Sequence, residues 1–153
     1  MSIADESSEA VPETARRLGL EPHPEGGWFA RTWTSPVTVE TGGGIRPGAT
    51  LIHYLLEPGQ ASAWHVVVSD EIWLWHGPGT LTLQFGGDGD EPSPGATVLL
   101  GAPTAPHEPG RPANAQVLIP AGVWQRTFPA QRETLVSCLV SPGFSFDDWK
   151  LAQ

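Results

Sequence analysis

The stretch Gly59-Gln60-Ala61-Ser62-Ala63-Trp64-His65-Val66-Val67-Val68-Ser69-Asp70-Glu71-Ile72-Trp73-Leu74-Trp75-His76-Gly77 decides how the rest of the chain is read. Residues two apart in a strand share a face. His65 therefore shares a face with Ala63 and Val67, and Glu71 shares one with Trp73 and Trp75. Ser69-Asp70 separates the two strands and Gly77 ends the second. One imidazole and one carboxylate thus enter an apolar, indole-rich strand pair. A second stretch, Ile119-Pro120-Ala121-Gly122-Val123-Trp124-Gln125, follows a further set of strands and carries Gln125 past a Pro-x-Gly turn. The expected product is a small β-barrel around a pocket.

Outward from these stretches the pattern stays that of strands. Leu81, Leu83 and Phe85 alternate with Thr80, Thr82 and Gln84, a clear period of two. Further strands are expected over 28–35, 50–56, 61–68, 71–76, 96–100, 116–120, 123–128 and 134–140. The glycine-rich span 37–48 reads as a loop or ragged hairpin, and 144–153 as a short tail with aromatic anchors. One helix is expected over 12–18. Pro12 and Glu13 suit its first turn, Arg16 and Arg17 its last, and Gly19 its stop. Residues 1–10 read as a flexible acidic tail and 11–153 as one domain. The span 102–113, which holds His107, reads as an ordered surface loop. Many short strands at turn spacing with one helix indicate an all-β sandwich or barrel.

Composition narrows the function. The formal net charge of −9 repels phosphate backbones and anionic lipid, so nucleic acid and membrane surfaces are not expected partners. Cys138 is the only cysteine, which excludes an intrachain disulfide and a cysteine-based zinc site. Within the apolar run 135–140 it reads as a buried small hydrophobe. No signal peptide or bilayer-spanning run is seen, so the cytoplasm is the expected location.

Gly59-x5-His65, followed by Glu71 and Gly77, resembles the first motif of the cupins, and Pro120-x-Gly122-x2-Gln125 resembles the second. Further blocks in the same order include Leu20-Glu21-Pro22-His23-Pro24-Glu25-Gly26-Gly27, Ser69-Asp70-Glu71-Ile72-Trp73 and Ser141-Pro142-Gly143-Phe144. They make the chain similar to the cupin family described as predicted sugar epimerases. That resemblance implies a double-stranded β-helix (cupin or jelly-roll barrel) with a short N-terminal helix, and a homodimer. The usual metal-binding cupin has a second histidine where this chain has Val67 and a third where it has Gln125. Relatives often carry Tyr at His53, Arg at Val66, His at Leu74 and Arg-Glu at Ala30-Arg31. These exchanges imply a drier pocket, suited to a hydrophobic intermediate of specialised metabolism.

The candidate chemistry follows from residue types. A His and a Glu in a dry pocket shift each other's pKa, and one can act as base while the other orients it. Epimerisation beside a carbonyl needs a base on one face of the carbon and a proton donor on the other. His65 and Glu71 are the central candidates, with Tyr54, His53 or His76 as donor. His23 and Glu25 sit in a Pro-Gly turn that can cap the mouth. Ser62 and Gln125 are candidate substrate contacts, Trp73, Trp75 and Trp124 candidate walls, and Phe144 closes one end. His65, Glu71 and Gln125 could also form a sparse divalent-metal site. Zinc and iron favour more imidazole or thiolate, so no metal or other cofactor is expected. The expected function is an isomerase, epimerase or cyclase acting on a small carbohydrate-like or hydrophobic molecule. A non-catalytic small-ligand binder and a metal-dependent enzyme are the competing readings.

Overall fold

A computed structural model describes residues 10–104 and 112–153. The acidic tail, but for Ala10, and most of the proline-rich loop with His107 lie outside the described residues. The helix α1 (Glu13–Leu18) forms where expected. Pro12 precedes it, Glu13 sits in its first turn, and Gly19 ends it in the left-handed region at φ 67°. Its apolar side docks outside the barrel, where Ala15 and Leu20 pack with Trp28 and Leu55.

Fourteen strands are described. In chain order they are β1 (Glu21–Pro22), β2 (Trp28–Thr34), β3 (Thr38–Thr41), β4 (Gly44–Pro47), β5 (Thr50–Leu56), β6 (His65–Val67) and β7 (Asp70–Pro78). They continue with β8 (Leu81–Phe85), β9 (Thr97–Leu100), β10 (Ala113–Asn114), β11 (Gln116–Ile119), β12 (Gln125–Thr127), β13 (Thr134–Ser141) and β14 (Trp149–Leu151). One six-stranded sheet runs β1-β2-β5-β13-β7-β11, and the other β10-β9-β8-β12-β6-β14. The two sheets close on each other as a double-stranded β-helix. β3 and β4 make a separate hairpin, resolving the glycine-rich span as a hairpin. One short pair, β9 with β10, is parallel.

Two spans differ from expectation. The strand expected over 61–68 begins only at His65. Before it, Ala63 N–H donates to the Glu25 carbonyl, and Ser62 N–H to the Thr127 hydroxyl, so neither is free for a ladder. The aromatic tail is not merely an anchor. It forms a 3₁₀ turn, Phe146–Asp148, then β14, which pairs with β6 and brings Trp149 opposite Val67.

Inward residues fill one half of the barrel. Tyr54, Leu56, Trp73, Leu83, Leu100 and Val136 are all buried in one cluster contributed by both sheets. The other half, nearer the N-terminal end of β7, is left open.

Gly26 shows how tightly the His23–Gly27 turn seats on the barrel. Its φ is 113°, and a Cβ there would lie 2.2 Å from the Ala61 carbonyl oxygen. Gly19 also has a positive φ, 67°, but open space around it. In urea denaturation, Gly26→Ala should cost more than about 3 kcal/mol, combining strain with a backbone clash, and Gly19→Ala only about 1 kcal/mol. Equal costs would contradict this seating.

Candidate active site

The open half of the barrel is a pocket with about 520 Å³ of empty space, mouth included. Glu71, Cys138 and Val140 line it from β7 and β13, and Thr50 and Ile52 from β5. His65 and Val67 come from the opposite sheet. Phe29 and Arg31 reach in from β2, and His23 and Glu25 from the preceding turn. The mouth is aromatic: Phe144 meets Phe146 edge-on at 4.9 Å, and Phe146 meets Trp149 at 5.3 Å. Arg46 on the β3–β4 hairpin holds this segment by a two-pronged bond to Asp148, at 2.7 and 3.1 Å.

Glu71 is buried against the opposite sheet. Its Oε1 accepts from the Gln125 side-chain N–H at 2.7 Å. The Gln125 Oε1 in turn accepts from the Trp73 indole at 2.8 Å. An indole N–H only donates, so Trp73 fixes which end of the Gln125 amide faces Glu71. The neighbouring Cys138 thiol, which also lines the pocket, favours the ionised form of the same carboxylate. Loss of water raises the Glu71 pKa from 4.5 to about 7, with the charge of Glu25 adding to the rise and that of His65 opposing it. Burial and the neighbouring Glu71 likewise push the Cys138 thiol well up, so it stays protonated.

A second polar cluster faces the first. His65 Nδ1 lies 2.8 Å from the Ala63 carbonyl, which can only accept, so that nitrogen carries a proton. Its Nε2 faces Glu25 Oε2 at 3.4 Å. Glu25 is held by the Ser62 hydroxyl and the Trp149 indole, each donating at 3.1 Å. His23 Nδ1 accepts the Glu25 backbone N–H at 3.0 Å, so its proton sits on Nε2. Burial pushes the His23 pKa down, keeping the ring neutral at pH 7.

Of the residues expected at the site, His23, Glu25, His65, Glu71 and Phe144 all line the pocket. Ser62 and Gln125 stand behind it, bonded to the lining residues Glu25 and Glu71, and Trp73 stands one step further back, bonded to Gln125. Tyr54 lies in the filled half, its hydroxyl donating to the Gly26 carbonyl at 2.5 Å. Trp75 and Trp124 do not line the pocket, and their indoles donate to the Gly79 and Gly89 carbonyls. For Trp75 the reason is geometric: each step of two along β7 moves a side chain about 7 Å further from Glu71, into the plug.

His53 and His76 share the outer face of the sheet, 6.2 Å apart, with His76 Nε2 2.6 Å from the Ser137 hydroxyl. They cannot serve the pocket as donors. Ala30, His53, Val66 and Leu74 do not line it either, which removes the argument for a drier interior. The exchanged position that does line it is Arg31, a cation. Sequence reading also missed Cys138, Phe146 and Trp149. Alternation from Glu71 across its partner Val140 could have found Cys138.

The residues do not fit a metal of the usual cupin kind. Gln125 has its amide oxygen on Trp73 and its amide nitrogen on Glu71, so it offers no ready ligand atom. His65 Nε2 is turned to Glu25. Among the described residues no three His, Cys, Asp or Glu side chains are grouped to hold an ion.

The raised Glu71 pKa has a stability consequence with a definite sign. In the unfolded chain the carboxyl ionises near pH 4.5, in the fold near 7. Between those values the folded state holds the extra proton, so stability falls as pH rises and levels off above 7. Glu71→Gln, which can still accept from Gln125, should remove this loss and gain about 3 kcal/mol over wild type between pH 4.5 and 8. The downshifted His23 is common to both proteins and cancels in the difference. A difference that stays flat with pH in guanidinium titrations would contradict the burial of this charge.

The chain matches the family model described as Cupin superfamily (DUF985) over residues 12–152. No curated protein matches it. A hypothetical protein from Leishmania major is 31% identical, with 89% of this chain and 83% of that one covered and a TM-score of 0.73. A protein from Shewanella oneidensis is 30% identical, with 99% and 85% covered and a TM-score of 0.76. An uncharacterised conserved protein with a double-stranded β-helix domain from Klebsiella pneumoniae shares the fold at 13% identity, with 96% and 97% covered and a TM-score of 0.57. With its two motifs, its barrel and this match over nearly its whole length, the chain belongs to the Cupin superfamily.

Proposed function

We infer that the chain is a proton-transfer isomerase that works on a small carbonyl compound, with Glu71 and His65 as its acid–base pair. Epimerisation of a sugar-like substrate is one reaction of this class. The observation that carries the reading is a carboxyl held near pKa 7 in the same pocket as an imidazole backed by Glu25. A base works best when its pKa lies near the operating pH, and burial supplies that match here. In the forward step, the Glu71 carboxylate takes a proton from the carbon beside the carbonyl. The C–H electron pair becomes a C=C bond and the carbonyl π pair moves onto oxygen, giving an enolate. His65 Nε2, turning from its 3.4 Å contact with Glu25, delivers a proton to the other face of the carbon; the C=C pair forms the new C–H bond and the oxygen pair re-forms the carbonyl. Tyr54 and Gln125 act as positioning residues: one holds the Gly26 turn, the other holds Glu71. The reading includes a small-molecule partner and a cytoplasmic location. It also includes a homodimer, on likeness to the family, measurable by sedimentation.

The reading is tested by incubating the protein in D₂O with a panel of small 2-oxo and 2-hydroxy carbonyl compounds and following mass. Deuterium should enter one of them beside its carbonyl, and the rate should fall at least about 100-fold in Glu71→Gln and in His65→Ala. Undiminished exchange in Glu71→Gln would end the acid–base assignment. Retention of a panel compound without any exchange would favour the non-catalytic binder.

A further inference from the structure

We propose that the pocket takes a small organic monoanion, its carboxylate held at the mouth by Arg31 and its uncharged end pointed down toward Glu71 and His65. The placement of the reacting end rests on the isomerase reading; the recognition of the carboxylate does not.

Arg31 lies on β2 two residues beyond Phe29, and both line the pocket. It is exposed, and its Nη2 donates to the Phe144 carbonyl at 3.0 Å. That bond uses one of five N–H donors and fixes the guanidinium against the aromatic mouth. Among the described residues no carboxylate lies within 4.0 Å of it, whereas Arg17 and Arg46 are each paired with one. Arg16, Arg126 and Arg132 likewise have no carboxylate within that range among the described residues, so it is the place of Arg31 over the pocket that sets it apart. It is also the sole Lys or Arg among the described lining residues.

The charges are laid out along the depth of the pocket. The cation is at the rim, while the interior carries Glu25 and Glu71. An anion driven inward would meet two carboxylates in a poorly hydrated space, where like charges repel strongly. At the rim it meets a planar fork of donors that matches a carboxylate. Phe29, Ile52, Val67 and Val140 give the pocket an apolar wall. The ligand that satisfies all three zones has an acidic head, a short apolar body and a neutral polar end.

Calorimetry on the full chain at pH 7 and low salt tests this with two matched pairs, butyrate against butyramide and phenylacetate against phenylacetamide. One acid should bind at least tenfold tighter than its amide. Arg31→Gln should abolish that preference, while Glu71→Gln should keep it. Amides that bind as well as acids, no binding of either acid, or a preference that survives Arg31→Gln would each overturn the proposal. Isotope exchange reads the acid–base assignment separately. Exchange in the wild type with no acid preference there sinks the anion site alone, and acid preference without exchange sinks the isomerase alone.

Discussion

The barrel depends on one buried contact, the Gln125 amide donated to the Glu71 carboxyl across the two sheets. A carboxyl taken out of water costs free energy unless it is bonded or neutralised. Here the amide bonds it, yet no fixed cation neutralises it within ion-pair range among the described residues. The compromise is a proton held up to about pH 7. Trp73 completes the arrangement by locking the amide the right way round. The same indole begins the apolar plug, so one relay marks where core ends and pocket starts.

The second cluster complements the first. It comes from a loop and a late strand rather than from the sheet that carries Glu71. The tightly seated His23–Gly27 turn delivers Glu25 to His65, and the C-terminal β14 adds the Trp149 indole. Both clusters therefore answer to the same aromatic mouth. By limiting water there, Phe144, Phe146 and Trp149 strengthen every charge interaction inside. The hairpin clamp from Arg46 to Asp148 keeps that mouth in place from outside.

The sequence made the fold legible because its signals were local. Alternation marked β8, and Pro12, Glu13 and Gly19 marked α1. β14 was hidden because Trp149–Leu151 is three residues long and pairs only with β6, a contact no local pattern reveals. At the site, His65 and Glu71 stood out by motif spacing. Gln125 could be placed near them, but not recognised as a bridge between sheets. Arg31 was hidden for a different reason. It is an exposed residue on a strand, and its partner is the backbone of a residue 113 positions away. Trp75 and His76 misled because adjacency in sequence to Glu71 says nothing about depth along the strand.

The most direct measurement is the ionisation of Glu71 itself, by carbon NMR of protein labelled at the glutamate carboxyl. One resonance should titrate near pH 7 and be missing from Glu71→Gln. If every glutamate carboxyl, that of Glu71 included, titrates near the ordinary value of 4.5, the buried acid at the centre of this account does not exist.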